Sequence, residues 1–256
     1  NSQLNSQTRE EKDRFSADIS FVGSMYHKNS YDDIKDKLPP YLRGYFDAAM
    51  LAQLNIYGDN IIDELLTVDI LKQLSEFVDF RQDKRAFSDI RLVFESTFLG
   101  FKLANIERVR TLNLLAKKNK VALYTDEQDT SLINVDFKGT VDYMNDMPKV
   151  FNNSSINLNM TIRNIRTGIP LRVWDILGAG GFLLTNYQIE LTDYFKNEES
   201  IVYYEDMYDC CKKAEYYLLH EDKRRQIAAK GHELVSKKHS YINRVKYILD
   251  VIGKMS

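Results

Sequence analysis

Hydrophobic and polar positions follow two different rhythms along the chain. From about residue 31 to residue 116, apolar residues recur at spacings of three and four, which indicates a succession of amphipathic helices. Beyond that point, short apolar runs alternate with segments that are each long enough for a short helix. The predicted strands are "DISFVGSMY" (18–26, ending in a loop), "VALYT" (121–125), "NVDFKG" (134–139), "INLNM" (156–160), "GFLLTN" (181–186) and "SIVYY" (200–204). The chain then finishes in helices.

This order of elements predicts an α/β fold. Strands that alternate with helices favour a Rossmann-like parallel sheet flanked by helices on both faces. The helical stretch, about residues 31–108, is then an insertion after the first strand. Residues 1–17 are polar and show no apolar periodicity, so we assign them to a tail or linker. Residues 18–256 form the Rossmann-like domain.

Composition and charge limit the kinds of molecule that this protein is expected to bind. The 256 residues are 44% hydrophobic and 28% charged, which is typical of globular proteins. A formal net charge of -2 provides no overall positive field, so neither nucleic acid nor an acidic membrane is an expected partner. No apolar run is long enough to span a membrane.

The cysteines and histidines predict neither a disulfide nor a metal site. Cys210 and Cys211 are adjacent in sequence, and the four histidines lack the spacing of metal ligands. Nothing in the chain requires an oxidising compartment, so we expect a cytoplasmic protein.

Small or polar residues stand where the predicted strands end. In open parallel sheets, ligands bind outside the carboxyl ends of the strands. These positions are Gly23, Ser24, Thr125, Lys138, Gly139, Thr140, Asn157, Asn159, Thr185 and Asn186. The alternative is that the strands simply run into surface loops, which are polar in most proteins.

The segment "RTGIPLRVWDILGAGGFLLTN" (166–186) carries more information. Pro170 suits the first position of a helix, and Gly168 lets a ligand approach the backbone closely. Helix N-termini attract anions, whereas cations placed there oppose the helix dipole. Three arginines surround this helix start: Arg163, Arg166 and Arg172. The arrangement predicts a bound phosphate or diphosphate.

Asp175 lies one turn beyond Arg172 on the same predicted helix. A carboxylate there suits the vicinal hydroxyls of a ribose. Two alternatives are that the arginines pair with acids such as Asp175, and that Asp175 only responds to the helix dipole. The glycines of "GAGG" (178–181) end a helix and precede a strand, which predicts a helix C-cap. A dinucleotide-binding GxGxxG loop has the opposite order.

Longer motifs in this half of the chain resemble a known family. "INLNMTIRNIRTGIPLRVWDILGAGGFLLT", "YYLLHEDKRRQIAAKG" and "HSYINR" resemble the spore-maturation CgeB-like glycosyltransferases. These are similar to group 1 glycosyltransferases of GT-B fold. The resemblance covers roughly residues 18–249 and implies the C-terminal, nucleotide-sugar-binding half of such an enzyme.

The resemblance also implies roles for individual residues. Asp175 falls where the family usually has a glutamate that holds the donor ribose, and Arg172 is the expected catalytic residue because it would stabilise the leaving diphosphate. No metal and no cofactor other than the sugar donor are expected. Together with the strand ends, the expected substrate-binding residues are Gly23, Ser24, Thr125, Lys138, Gly139, Thr140, Val141, Arg166, Gly168, Ile169, Pro170 and Asp175.

The chain departs from the family pattern at two points. Aspartate replaces the usual glutamate at position 175, and Thr167 stands where many group 1 enzymes carry a second acid. The resemblance further implies that an N-terminal, acceptor-binding domain is missing, so we expect donor binding and leave transfer by this chain alone open. The acceptor stays open. The alternative function is a non-catalytic interaction module on a Rossmann-like scaffold, whereas a nicotinamide-dependent oxidoreductase is disfavoured because no GxGxxG follows the first strand.

Overall fold

Six parallel strands form a single sheet in the order β3-β2-β1-β4-β5-β6. The computed structural model describes residue 4, residues 6–78 and residues 89–255. Residues 1–3 and 5 of the predicted tail, and residues 79–88 of the predicted insertion, lie outside the described residues. The strands are β1 (Ala17–Val22), β2 (Val121–Tyr124), β3 (Val135–Phe137), β4 (Ser154–Asn159), β5 (Leu183–Asn186) and β6 (Val202–Tyr204).

The register places β1 at the centre of the sheet. Ile19 of β1 pairs with Val121 of β2 on one side and with Ile156 of β4 on the other, and both pairings are parallel. The chain reverses its direction of sheet growth at β1 and β4, so the crevice between their carboxyl ends is the topological switch point. The predicted parallel α/β sheet is confirmed.

Helices occupy both faces of the sheet and form the insertion. Before β1 lies α1 (Arg9–Phe15). The insertion contains α2 (Ser30–Ile34), a 3₁₀ turn (Lys35–Lys37), α3 (Pro40–Gln53), α4 (Ile62–Leu65), α5 (Val68–Ser75), α6 (Ile90–Val93), a π-helix (Phe94–Leu99) and α7 (Gly100–Leu115). The later helices are α8 (Met147–Asn153), α9 (Leu171–Gly178), α10 (Leu191–Tyr194), α11 (Met207–Leu219), α12 (Glu221–Lys238) and α13 (Tyr241–Met255).

The buried apolar residues in the described ranges form three cores. One core lies between the sheet and helices α7 and α11, and a second lies between the opposite face and helices α8 and α9. The insertion encloses a third core of its own. Helix α7 joins two of them, because Leu103 packs inside the insertion and Leu112 packs against the sheet. The insertion is therefore anchored to the sheet by a shared helix.

The segment assigned to a tail or linker contains a helix. Thr8 and Glu11 form a reciprocal capping box at the start of α1, and Phe15 at its end is buried in the core beneath α8 and α9. Lys149 of α8 forms an ion pair of 2.6 Å with Glu11. One apolar residue at the end of a helix produces no periodicity, so the apolar pattern did not indicate this helix, although the spacing of Thr8 and Glu11 is that of a capping box. The boundaries of the domain stay predictions.

The glycines after α9 close the helix as predicted. Gly180 has a φ of +79°, its N–H donates to Leu177 O, and the N–H of Gly181 donates to Ile176 O. These two bonds form a Schellman motif. An added Cβ at Gly181 would lie 2.6 Å from Phe151 O, so close packing also requires glycine there.

Candidate functional site

The three arginines near the start of α9 do not converge on one anion. Arg163 Nη2 lies 2.8 Å from Glu107 Oε1, both side chains are buried, and the guanidinium stacks 3.5 Å above the ring of Tyr57. The prediction that Arg163 faces the helix start is therefore wrong. Arg166 Nη2 lies 3.0 Å from Asp63 Oδ2 in an exposed pair. Both contacts follow the alternative in which the arginines pair with acids.

The loop before α9 does hold an anion, but the anion belongs to the chain. Gly168 has a φ of +94°, and its N–H donates a short hydrogen bond to the carboxylate of Glu190. Pro170 is the N-cap residue, one position before the predicted one, and the helix begins at Leu171. A diphosphate at Gly168 must therefore displace Glu190.

Arg172 and Asp175 are the predicted site residues that the structure brings into contact. Arg172 Nη1 lies 3.4 Å from Asp175 Oδ2, and the same nitrogen makes a short contact with Met147 Sδ. Tyr143 Oη donates a hydrogen bond of 2.9 Å to Asp175 Oδ1. We call Tyr143, Arg172 and Asp175 the Asp175 cluster. No spacing or motif in the sequence indicates Tyr143, which stands in the long loop between β3 and α8.

The electrostatics of the Asp175 cluster reflect partial burial. The hydrogen bond to Asp175 is the main reason why the pKa of Tyr143 is raised to about 12, and burial adds to it. Burial lowers the pKa of Arg172, which the neighbouring Asp175 opposes. Both Arg172 and Asp175 keep 23% of their side-chain surface exposed, so a ligand can still reach them.

A groove of about 660 Å³ runs beside Asp175. Its walls are mainly apolar and come from α8, α9, the end of α12 and the start of α13. They include Met147, Leu171, Trp174, Tyr241 and Arg244. A groove of this size with few polar groups is typical of small-molecule sites.

The other predicted site residues are distributed along the carboxyl edge of the sheet. Gly23 and Ser24 follow β1, and Thr125 follows β2, where its hydroxyl donates to Asp126 Oδ1 at 3.1 Å. Lys138 pairs with Asp136 at 2.6 Å after β3. The remaining positions are Gly139 (φ +72°), Thr140 in the same loop, and Val141 and Ile169, which pack against the core beneath α8 and α9. Within the described ranges, no hydrogen bond or ion pair joins Gly23, Ser24, Thr125 or Lys138 to the Asp175 cluster.

Arg108 occupies the switch point, and sequence analysis missed it. Its Nη1 donates a short hydrogen bond to Ser24 O beyond β1, and its Nη2 donates one of 2.7 Å to Met160 O beyond β4. The guanidinium also stacks 4.8 Å from the ring of Tyr26. Burial lowers the pKa of Arg108. A buried arginine in a helix rich in charged residues carries no local signal, so only the tertiary contact identifies it.

The described part of the chain contains neither a metal-binding cluster nor a membrane-spanning helix. No group of three or more His, Cys, Asp or Glu residues there is arranged to hold a metal ion. None of the helices in residues 6–78 and 89–255 is long and apolar enough to cross a membrane.

Comparison with protein families shows a match to a family of transferases. The model of the glycosyl transferase-like family matches residues 105–250, which is more than half of the chain. The matched segment begins within α7 and ends within α13, so it includes Arg108 and the Asp175 cluster. No curated protein matches the sequence.

Solved structures show distant similarity. TarM is 14% identical over 56% of this chain and 31% of its own, with a TM-score of 0.45. Anabaena Alr3699/HepE in complex with UDP-glucose is 11% identical over 57% of this chain and 44% of its own, with a TM-score of 0.47. T4 phage BGT in complex with its UDP-glucose substrate is 12% identical over 91% of this chain and 75% of its own, with a TM-score of 0.42. The match thus spans less than half of TarM and of Alr3699/HepE, and such distant similarity assigns no role to any residue here.

Proposed function

The chain belongs to the glycosyl transferase-like family, and from that premise we propose that it binds a nucleoside-diphosphate sugar and acts as the donor-binding part of a glycosyltransferase. The sugar would pass to an acceptor hydroxyl. An N-terminal acceptor-binding domain, a GT-B arrangement of the two halves, a CgeB-like subfamily and a cytoplasmic location are parts of the same proposal.

One observation carries the proposal: Asp175 lines a groove large enough for a nucleoside, and Arg172 lies in contact with Asp175. A carboxylate accepts hydrogen bonds from the vicinal hydroxyls of a ribose. A guanidinium binds phosphate oxygens through paired N–H donors. Acid and base side by side on one helix therefore match the ribose and the diphosphate, which are adjacent in the donor.

In the proposed transfer reaction, the donor-binding part has to stabilise the leaving diphosphate. The acceptor oxygen forms a bond to the anomeric carbon, the bond from that carbon to the diphosphate oxygen breaks, and the electron pair leaves with the diphosphate. The acceptor's proton passes to a base that the proposal places in the acceptor-binding domain. Arg172 stabilises the negative charge that develops on the leaving group, since a guanidinium in a partly desolvated site acts strongly on such a charge.

The other groups that were expected to contact the diphosphate already have partners within the chain. The N–H of Gly168 is occupied by Glu190, and Arg166 is occupied by Asp63. The diphosphate therefore binds first to Arg172 in this proposal, and the diphosphate reaches Gly168 only when Glu190 moves away.

A second candidate function, an interaction module, is favoured by helix α13. Its apolar side chains are largely solvent-exposed, and Ile242, Ile248 and Ile252 are each more than half exposed. Exposed apolar surface of this kind often marks a protein contact. A protein partner that binds while no nucleotide has any effect would support this second function.

The test is thermal denaturation with UDP, GDP, ADP and their sugars. A ligand at about 100 times its Kd stabilises the native state by roughly 2.7 kcal/mol, which raises the Tm by several degrees in a chain of this size. Arg172→Ala and Asp175→Asn should each weaken the ligand by roughly tenfold or more, because a charge-assisted hydrogen bond is lost. Lys237→Ala removes an exposed ion pair with Glu233 on α12 and is the control. If no nucleotide raises the Tm of the wild-type chain, the proposal is wrong.

A further inference from the structure

A second cavity, of about 530 Å³, lies between the insertion and the loop that leads into α9. Residues Arg166 and Thr167 of that loop line this cavity, whereas Leu171, four residues further on, lines the groove beside Asp175. The loop therefore separates two open spaces. The insertion contributes Asp63, Arg91 and Glu95 to the second cavity, and Asn164 completes it.

Glu95 is unusual among the residues of this cavity because it is a buried acid. Its residue is 5% exposed, yet no residue in the described ranges forms an ion pair with it. Asn60 Nδ2 donates a short hydrogen bond to Glu95 Oε1, and burial raises the pKa of the carboxyl group. Glu95 also stands in the π-helix, Phe94–Leu99, and π-helical turns occur frequently at functional sites.

Asn164, in the loop that leads into α9, lies beside the π-helix that carries Glu95. A Cβ at Gly100 would lie 3.0 Å from Glu95 O and 3.6 Å from Asn164 Cγ. Glycine at this position therefore avoids a tight contact with the backbone of the π-helix, and Asn164 packs there at ordinary van der Waals distance. Asn164 Oδ1 is buried there and accepts no hydrogen bond from any residue that the structure describes.

The remaining charges in the cavity are balanced. Arg166 and Arg91 both face Asp63, at 3.0 Å and 3.9 Å. Asp89 accepts a hydrogen bond from the N–H of Arg91 and caps α6. The acids do not form a group that could hold a metal ion within the described residues. The cavity thus suits a neutral ligand with many hydroxyl groups, which needs acceptors such as Glu95 and Asn164.

We propose that this cavity binds the sugar of the donor, and that Glu95 and Asn164 accept hydrogen bonds from its hydroxyl groups. The inference rests on the proposed function, because it places the sugar and the nucleoside on opposite sides of the loop 166–170. Residue 95 precedes the segment that matches the family, residues 105–250, so the insertion supplies this acid and the matched segment does not.

The test compares two ligands on the full chain with Glu95→Gln. Calorimetric titration would give the Kd of UDP and of UDP-glucose, with the GDP and ADP pairs as further probes. Glu95→Gln should leave the Kd of the nucleoside diphosphate within about twofold and weaken the nucleotide sugar roughly tenfold or more. Glu76→Gln, at the exposed end of α5 in the same insertion, is the matched control and should change neither Kd.

Stability separates a binding role from a structural role. Glutamine keeps the size of Glu95 and an acceptor for Asn60, and it removes a buried charge, so the Tm of the unliganded variant should not fall. Asn164→Ala is the second variant, with the same expected loss of sugar affinity, for use if Glu95→Gln does not fold.

Three other outcomes of the titrations would contradict the inference. Equal weakening of both ligands would show that Glu95 only supports the loop, and unchanged affinity for the nucleotide sugar would show that the cavity does not hold the sugar; either result overturns the inference alone. If the wild-type chain binds neither ligand, the proposed function and the inference both fail.

Discussion

Two clusters in the described part of the molecule each join an arginine, a carboxylate and a tyrosine, but their surroundings differ. In the buried triad, Glu107 Oε1 accepts hydrogen bonds from Arg163 Nη2 at 2.8 Å and from the hydroxyl of Tyr57 at 3.0 Å. The Asp175 cluster likewise joins an arginine, a carboxylate and a tyrosine. The side chains of Arg163 and Glu107 are 4% and 2% exposed, whereas those of Arg172 and Asp175 are each 23% exposed.

Burial determines what each set of residues is able to do. The charges of the buried triad have each other as partners and are closed to solvent, so the triad holds α7 to the loop after β4. The Asp175 cluster has a longer ion pair, of 3.4 Å, and faces a groove. The same three groups thus act as a structural tie in one place and as a candidate ligand site in the other.

The largest difference is expected when each acid is removed. Glu107→Ala leaves Arg163 buried without a counter-charge, which should lower the free energy of unfolding by about 3–5 kcal/mol. Asp175→Ala should cost about 1 kcal/mol or less, because Arg172 regains water. Urea denaturation of both variants measures the two values. Similar losses for the two variants would contradict the distinction between the triad and the cluster.

A smaller effect, on nucleotide affinity, is expected when the Glu190 carboxylate that occupies the N–H of Gly168 is neutralised. Glu190→Gln replaces the carboxylate on the N–H of Gly168 with a weaker, neutral acceptor. Since charge-assisted hydrogen bonds exceed neutral ones by roughly 1 kcal/mol, a nucleoside diphosphate should bind about fivefold more tightly to this variant. Calorimetric titration measures it, with the exposed Glu199→Gln as control. Unchanged or weaker binding would show that the diphosphate does not reach Gly168.

The smallest expected effect on stability appears at alkaline pH, and it depends on why the pKa values of Tyr57 and Tyr143 are raised. Burial is the main reason for the raised pKa of Tyr57, whereas the hydrogen bond to Asp175 is the main reason for that of Tyr143, about 12. Asp175→Asn should therefore lower the pKa of Tyr143 towards its ordinary value of about 10. Because the folded-state pKa is raised, the contribution of Tyr143 to stability is complete below about pH 10 and lost as the pH rises through about 12. Tyrosinate absorbance of the variant and the wild-type chain measures the shift, and identical titration curves would contradict it.

Much of the fold was predictable because its signals are local. Short apolar runs identified all six strands, and the two glycines at 180 and 181 identified the end of α9. The match to the glycosyl transferase-like family agrees with the resemblance at the level of the broad family, while the CgeB-like assignment and the individual site roles stay predictions.

The candidate site was predictable only in part. Arg172 and Asp175 are one helical turn apart, so their contact follows from the helix itself. Arg163 and Arg166 are close to them in sequence, but their partners Glu107 and Asp63 come from the insertion. Tyr143 and Glu95 also reach their sites from distant segments, and no spacing in the sequence connects them.

The periodicity of apolar residues was enough to specify a parallel sheet with helices on both faces, because strand and helix periods and glycine caps depend on neighbours in the chain. The tertiary structure alone decided which charges are buried, which acid meets which arginine, and which carboxylate occupies the N–H of Gly168. Charge pairing depends on groups brought within about 4 Å and on the water excluded around them, and both arise only when distant segments pack together.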